Sequence, residues 1–183
     1  MPPRLLTREN TALLIIDVQE KLYAVMHDKE KILGNILKLI DFAKIMGLPI
    51  ILTEQYPKGL GRTIKQIKDK IPETAPLEKT AFNCFGAEGF KELLQKNKIT
   101  TLIITGIETH VCVSQTALDA IDKSITACVI SDATTSRTKE NWHVGLERMR
   151  DNGTIISSTE MVMYELLKDA KNPEFKQAQP LLK

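Results

Sequence analysis

Five short runs rich in Ile, Leu and Val, at positions 13–16, 50–52, 102–104, 127–130 and 154–156, alternate along this chain with longer stretches of helical periodicity. A strand with one wet face alternates apolar and polar residues. Runs that stay apolar on successive positions read instead as strands covered on both faces. Strand–helix alternation then calls for right-handed crossovers and a mostly parallel sheet between two helical layers. The helical stretches carry marks of their own. Ile32, Leu33, Ile36, Leu37, Ile40 and Ala43 share one stripe, closed by Gly47-Leu48-Pro49. Phe90, Leu93 and Leu94 mark a second helix, Val113, Ala117, Leu118 and Ile121 a third, and Trp142, Leu146 and Met149 a fourth. Ser157 with Glu160 three residues on reads as a capping box opening a last helix through Met161, Tyr164 and Leu167. The expected class is α/β, a three-layer αβα arrangement with a mostly parallel sheet.

Size and composition narrow the function classes. A chain of 183 residues is expected to form a single domain, 1–183, large enough to hold a core without disulfides or metal. The formal charge of +2 and an aromatic content of 5% give no broad reason to bind nucleic acid or a membrane surface. No run approaches the roughly 18–20 apolar residues of a membrane span. Met1-Pro2-Pro3-Arg4 lacks the apolar core of a signal peptide, so a reducing, cytoplasmic setting is expected. Cys84, Cys112 and Cys128 include no C-x-x-C pair, and His27, His110 and His143 have no metal-ligand spacing. No phosphate-cradling glycine fingerprint follows any strand. Neither a metal nor an organic cofactor is expected.

In sheets of this kind ligands bind beyond the carboxyl ends of the strands, so the residues there matter most. Asp17 directly follows the first run, where a carboxylate must be paired: it is a general base or a structural cap. Cys112 follows the third run at the mouth of a helix, where unsatisfied N–H groups favour an anion and lower a thiol pKa; it is a nucleophile or a small core residue. Lys79 follows a Pro-bounded segment that reads as a short edge strand, and is either solvated or part of the Asp17–Cys112 region. Cys84 reads as half-exposed in a loop, and Cys128 as core. His110, two residues from Cys112, points to another helix face and is not its dyad partner. Lys58, Arg62, Lys65, Lys68 and Lys70 form a basic run that either grips an anion or is a solvated helix face with Ile64, Ile67 and Ile71 packed inward. Gly59 and Gly61 make the preceding loop a candidate lid.

Three separated motifs resemble one family. They are Leu14-Ile15-Ile16-Asp17-Val18-Gln19, Glu78-Lys79-Thr80-Ala81-Phe82, and Gly106-Ile107-Glu108-Thr109-His110-Val111-Cys112-Val113 with Thr116-Ala117. Together, in this order and spacing, they resemble the isochorismatase-like cysteine hydrolases, related to nicotinamidases and N-carbamoylsarcosine amidases. The resemblance runs from about residue 11 to residue 160. Residues 53–61 and Ser131-Asp132-Ala133 resemble the isochorismatase domain-containing branch. The resemblance implies a six-stranded, Rossmann-like parallel sheet and an Asp-Lys-Cys triad, which carries over to Asp17, Lys79 and Cys112. It also implies a non-proline cis peptide at Ile107–Glu108 and an oxyanion hole from the N–H groups of Glu108 and Cys112.

Two departures bear on substrate. Nicotinamidases hold a metal through an Asp-x-His pattern after the second strand, where this chain has Glu54-Gln55-Tyr56-Pro57. Glu108 sets a carboxylate beside the oxyanion hole, either turned away as a structural acceptor or facing the pocket and repelling anions. Cys112 also separates the chain from true isochorismatases, which lack that nucleophile. The implied activity is hydrolysis of an amide-type C–N bond of a small molecule through a Cys thioester, with self-association expected as in relatives. Tyr23, Tyr56 and Phe82 are pocket candidates, and Gln19 an orienting one. The alternatives are a non-catalytic homo-oligomeric interaction protein retaining the fold, with an unreactive Cys112, and an anion or nucleic-acid binder acting through Lys58–Lys70.

Overall fold

The five apolar runs become five strands of one sheet, four of them longer than the run and the last shifted by one residue, and the Pro-bounded segment before Thr80 supplies the sixth. In the computed structural model, which describes residues 5–182, these are β1 (Thr11–Ile16), β2 (Ile50–Gln55), β3 (Leu77–Lys79), β4 (Thr101–Ile107), β5 (Thr126–Thr135) and β6 (Ile155–Ser157). Residues 1–4, read above for a leader sequence, lie outside the described residues. Among those described, the strands form a six-stranded sheet in the order β3-β2-β1-β4-β5-β6, and every neighbouring pair is parallel. This is the doubly wound order, in which the chain reverses direction across the sheet between β1 and β4.

Helices cover both faces: α1 (Glu20–Ala24), α2 (Lys29–Met46), α3 (Pro57–Leu60), α4 (Lys65–Lys70), α5 (Phe90–Lys96), α6 (Ser114–Asp122), α7 (Lys139–Asp151), α8 (Thr159–Leu167) and α9 (Phe175–Ala178). Residues of β1 and β4 are buried along their whole length, as consecutive apolar runs require. Leu13 and Ile15 of β1 join the apolar layer of α2 and α8, whereas Ala12, Leu14 and Ile16 join that of α5, α6 and α7. Each fully buried Leu or Ile contributes roughly 2 kcal/mol relative to exposure. No helix among the described residues is long and apolar enough to cross a membrane.

The structure moves several boundaries. β5 runs on past its apolar run through Ser131 and Asp132, whose polar side chains hide it in the sequence. The last helix opens at Ser158, whose side chain accepts from the Met161 N–H, while Ser157 closes β6. The third helix is preceded by a separate π-helical turn at Thr109–Val113. The basic run is split between α3, a connecting loop and α4, with Ile64, Ile67 and Ile71 buried on the inner side. Four of its five cations meet acceptors: Lys65 pairs with Asp69, Lys70 with Asp41, Lys68 with the Thr74 carbonyl, and Arg62 with Glu54 and Glu78.

Candidate active site

Three strands deliver one charged or nucleophilic side chain each to the carboxyl edge of the sheet. Asp17 follows β1 with φ +53°, in the left-handed region that costs a non-glycine residue on the order of 1–3 kcal/mol. Lys79 is the last residue of β3, two strands from β1, and its Nζ reaches back over β2 to Asp17 Oδ2 at 2.6 Å. Both side chains are fully buried. A pair of this kind is stable only if its remaining hydrogen-bonding capacity is filled, and β2 fills it. Thr53 donates its hydroxyl to Asp17 Oδ1 at 2.8 Å, and Gln55, opposite Lys79 in the ladder, accepts from Nζ at 2.7 Å. The Phe82 carbonyl accepts from Nζ at 3.0 Å. With the Ala81 carbonyl a fourth, longer acceptor at 3.3 Å, the three N–H groups of the ammonium are all engaged.

Gln19 ties this edge together from beneath. Its side chain donates to the carbonyls of Gln55 and Gly61 and accepts from the Gln55 N–H at 2.7 Å. Of the remaining pocket candidates, Tyr23 is half-buried under the Lys29 ammonium, and Tyr56 and Phe82 are 53% and 54% exposed. Among the described residues, no hydrogen bond or ring contact ties these three side chains to Cys112.

Cys112 lies in the π turn after β4, 5% exposed, where the charges of Asp17 and Lys79 both act on its thiol. Burial pushes this thiol well up, the Asp17 charge pushes it further, and Lys79 only partly offsets them. This corrects the expectation of a lowered pKa. The nine-residue helix α6 starts at Ser114, beyond the cysteine, and desolvation beside a carboxylate outweighs any helix-end effect. The resting site is therefore a neutral thiol against a carboxylate–ammonium pair. Burial lowers the Lys79 pKa, but the Asp17 charge and hydrogen bond oppose it, and the net shift is upward.

Cys84 departs from expectation as well. It is fully buried, with its N–H on the Thr116 hydroxyl at 3.0 Å and its sulfur 3.9 Å from the Thr53 hydroxyl, behind Asp17. Burial first, and then the Asp17 charge, push its thiol up to about 12. Cys128 is buried in β5.

The Ile107–Glu108 peptide is cis. The Glu108 carboxylate is turned to Arg137, accepting from its backbone N–H at 3.0 Å and from Nε at 3.1 Å. The Glu108 carbonyl accepts from the N–H groups of Val111 and Val113. In a regular α-helix that carbonyl would receive the Cys112 N–H. His110 bonds Ser136 through Nδ1 at 2.9 Å. The position of the nicotinamidase metal motif is otherwise occupied: Glu54 accepts from the N–H and hydroxyl of Thr63 and from Arg62. Among the described residues, no group of three or more His, Cys, Asp or Glu side chains could hold a metal ion.

Thr53 and Gln55 escaped the sequence reading as site residues. Their signal was the succession Thr53-Glu54-Gln55, three polar residues finishing an otherwise apolar strand.

A family model described as the isochorismatase domain matches residues 11–161. Isochorismatase family protein 1A of Dictyostelium discoideum is 37% identical over 177 residues, covering 94% of this chain and 86% of the relative. Isochorismatase domain-containing protein 2 of Bos taurus is 33% identical over 174 residues, covering 95% and 83%. Among solved structures, one described as the MAR1 ribonuclease of Caenorhabditis elegans superposes with a TM-score of 0.92 at 33% identity, covering 97% of this chain and 92% of its own. The YcaC gene product of Escherichia coli, described as an octameric hydrolase of unknown specificity, superposes at 0.90 with 28% identity, covering 100% and 90%.

Proposed function

This chain belongs to the isochorismatase family, and from that premise we propose that it is a cysteine hydrolase cleaving an amide-type C–N bond of a small molecule through a thioester on Cys112. The observation that carries the proposal is the fully buried Asp17–Lys79 ion pair at the carboxyl edge of the sheet, within whose electrostatic reach the buried Cys112 thiol lies.

The chemistry follows from the resting state. A neutral thiol is a poor nucleophile, so its proton must leave as the sulfur attacks. Asp17 takes that proton as the sulfur bonds to the carbonyl carbon. The developing oxyanion lies against the N–H groups of Glu108 and Cys112, the latter displaced from its ordinary helical acceptor. Asp17 then returns the proton to the departing nitrogen, and the C–N bond breaks to leave an acyl thioester and an amine or ammonia. Water attacks the thioester while Asp17 accepts its proton, the carboxylic acid departs, and the sulfur recovers its proton from Asp17. Lys79 remains charged throughout. With its three N–H groups engaged by the protein, it anchors and charge-balances Asp17 and donates nothing to substrate.

Self-association belongs to the same reading. Tyr56 and Phe82 stand exposed on the segments that follow β2 and β3, and the Escherichia coli relative is described as octameric. Ribonuclease action, the description of the nematode relative, has less support in this chain. Four of the five cations that would follow a phosphate backbone are engaged with carboxylates or a carbonyl.

The test is a screen of small primary amides for ammonia release by the wild-type protein and by Cys112→Ala. The expected result is turnover of at least one amide by the wild type and its loss in the variant. Release that is equal in both proteins removes the cysteine mechanism. A wild type inert across the panel with an unreactive Cys112 favours the interaction-protein alternative.

A further inference from the structure

A cavity of about 310 Å³ opens at the end of β5, between the first turns of α2 and α7. Its walls include none of Asp17, Lys79 and Cys112. That volume is at the small end of ligand pockets, enough for a compact molecule of one ring.

The chemistry of the walls is specific. Thr134 lines the cavity, is 1% exposed, and its hydroxyl has no hydrogen-bond partner among the described residues. Leaving such a group unpaired is costly, and a ligand able to bond it would recover that cost. Buried Ile32 and the Trp142 ring supply apolar wall, and the Trp142 Nε1–H, donating to the Ser131 carbonyl at 3.1 Å, fixes the ring plane. Lys31 and Lys139, one from each helix start, are exposed, and neither has an ion pair or hydrogen bond to the described residues. Two acids share the walls: Asp132, whose Oδ1 accepts from the N–H and hydroxyl of Thr159, and Asp28, whose side chain is 61% exposed beside His27. Among the described residues neither acid pairs with a lysine, so the walls offer a ligand two ammonium groups and a hydroxyl beside a flat apolar surface, at the amino termini of two helices.

We infer that this cavity binds a small aromatic carboxylate, its ring against Trp142 and Ile32 and its acid group toward Lys31, Lys139 and the Thr134 hydroxyl. The site is separate from the reaction at Cys112 and does not depend on it.

Trp142 is the single tryptophan of the chain, so its fluorescence reports the cavity directly. The protein is titrated with phenylacetate and, as the uncharged counterpart, with 2-phenylethanol. The expected result is a saturable change in Trp142 emission with phenylacetate, at least about tenfold weaker with the alcohol and in Lys31→Ala/Lys139→Ala, as for loss of a charge-assisted contact. It persists in Cys112→Ala. Circular dichroism confirms that the variants fold, and the acid–alcohol comparison needs only the wild type. No saturable change, equal affinity for acid and alcohol, or undiminished binding in the double variant overturns the assignment.

Discussion

At the scale of single residues, the account turns on a cysteine that its surroundings keep protonated. Burial and the Asp17 charge raise the Cys112 thiol above the ordinary value of about 8.5. The sign is definite. Between the unfolded and folded values the native protein holds a proton that the unfolded chain releases, so this thiol's contribution to stability is complete below the ordinary thiol range and is lost as pH rises through the raised value. In Asp17→Asn the carboxylate charge is gone and Lys79 remains. The ultraviolet absorbance of the Cys112 thiolate, taken as the difference from Cys112→Ala, is expected to titrate at lower pH than in wild type. Amide turnover should fall about a thousandfold with loss of the base. A titration that stays in place would show that Asp17 does not set the thiol. Asp17 and Cys112 stand out in the sequence as chemistry following apolar runs, whereas Lys79 follows a short Pro-bounded segment and only the family resemblance singles it out. Thr53 and Gln55 do not, because a polar residue ending a strand becomes meaningful only once its neighbours across the ladder are known. Cys84 misled for a related reason: its Asn- and Gly-flanked segment looks solvated, yet the Thr116 hydroxyl pins it inside.

At the scale of elements, two glycines let the parts of the site approach. A Cβ on Gly106, at φ +111°, would lie 2.1 Å from the Ile16 carbonyl, so only glycine allows β4 to pass the end of β1 just before Asp17. Gly145 lets α7 rest on the π turn, where an added Cβ would meet the His110 Cα at 3.0 Å. Gly145→Ala must therefore displace the nucleophile turn by a few tenths of an ångström. The expected outcome is a kcat lower by about tenfold, with a thermal transition reduced as for about 1–3 kcal/mol of overpacking. An unchanged kcat with lowered stability would mean that α7 does not position Cys112. The strands were legible because burial on both faces leaves consecutive apolar residues. The π turn was not, because its sequence continues smoothly into the periodicity of α6. The capping serine was misplaced by one residue because Ser157 and Ser158 are adjacent, and the end of β6 decides between them.

At the scale of the whole molecule, sheet order makes the site. Lys79 is 62 residues from Asp17, and the two meet because β3 and β1 flank β2. Asp17 and the turn holding Cys112 meet because β1 and β4 are neighbours at the reversal of strand order. Alternation in the sequence predicts parallel strands and covering helices. It does not give their order, which depends on crossovers that leave no local mark, and there the family resemblance supplied what periodicity could not. Self-association is a property of this scale, and light scattering is expected to give a mass that is a multiple of 20.6 kDa; a mass of one chain would remove it. The central claim is covalent chemistry at one sulfur, and acid-quenched mass spectrometry during turnover of an amide found by ammonia release addresses it most directly. The account predicts a peptide containing Cys112 that carries the acyl mass of the substrate and is absent from Cys112→Ala. Steady turnover with Cys112 unmodified, or the acyl group on Cys84 or Cys128, would contradict it.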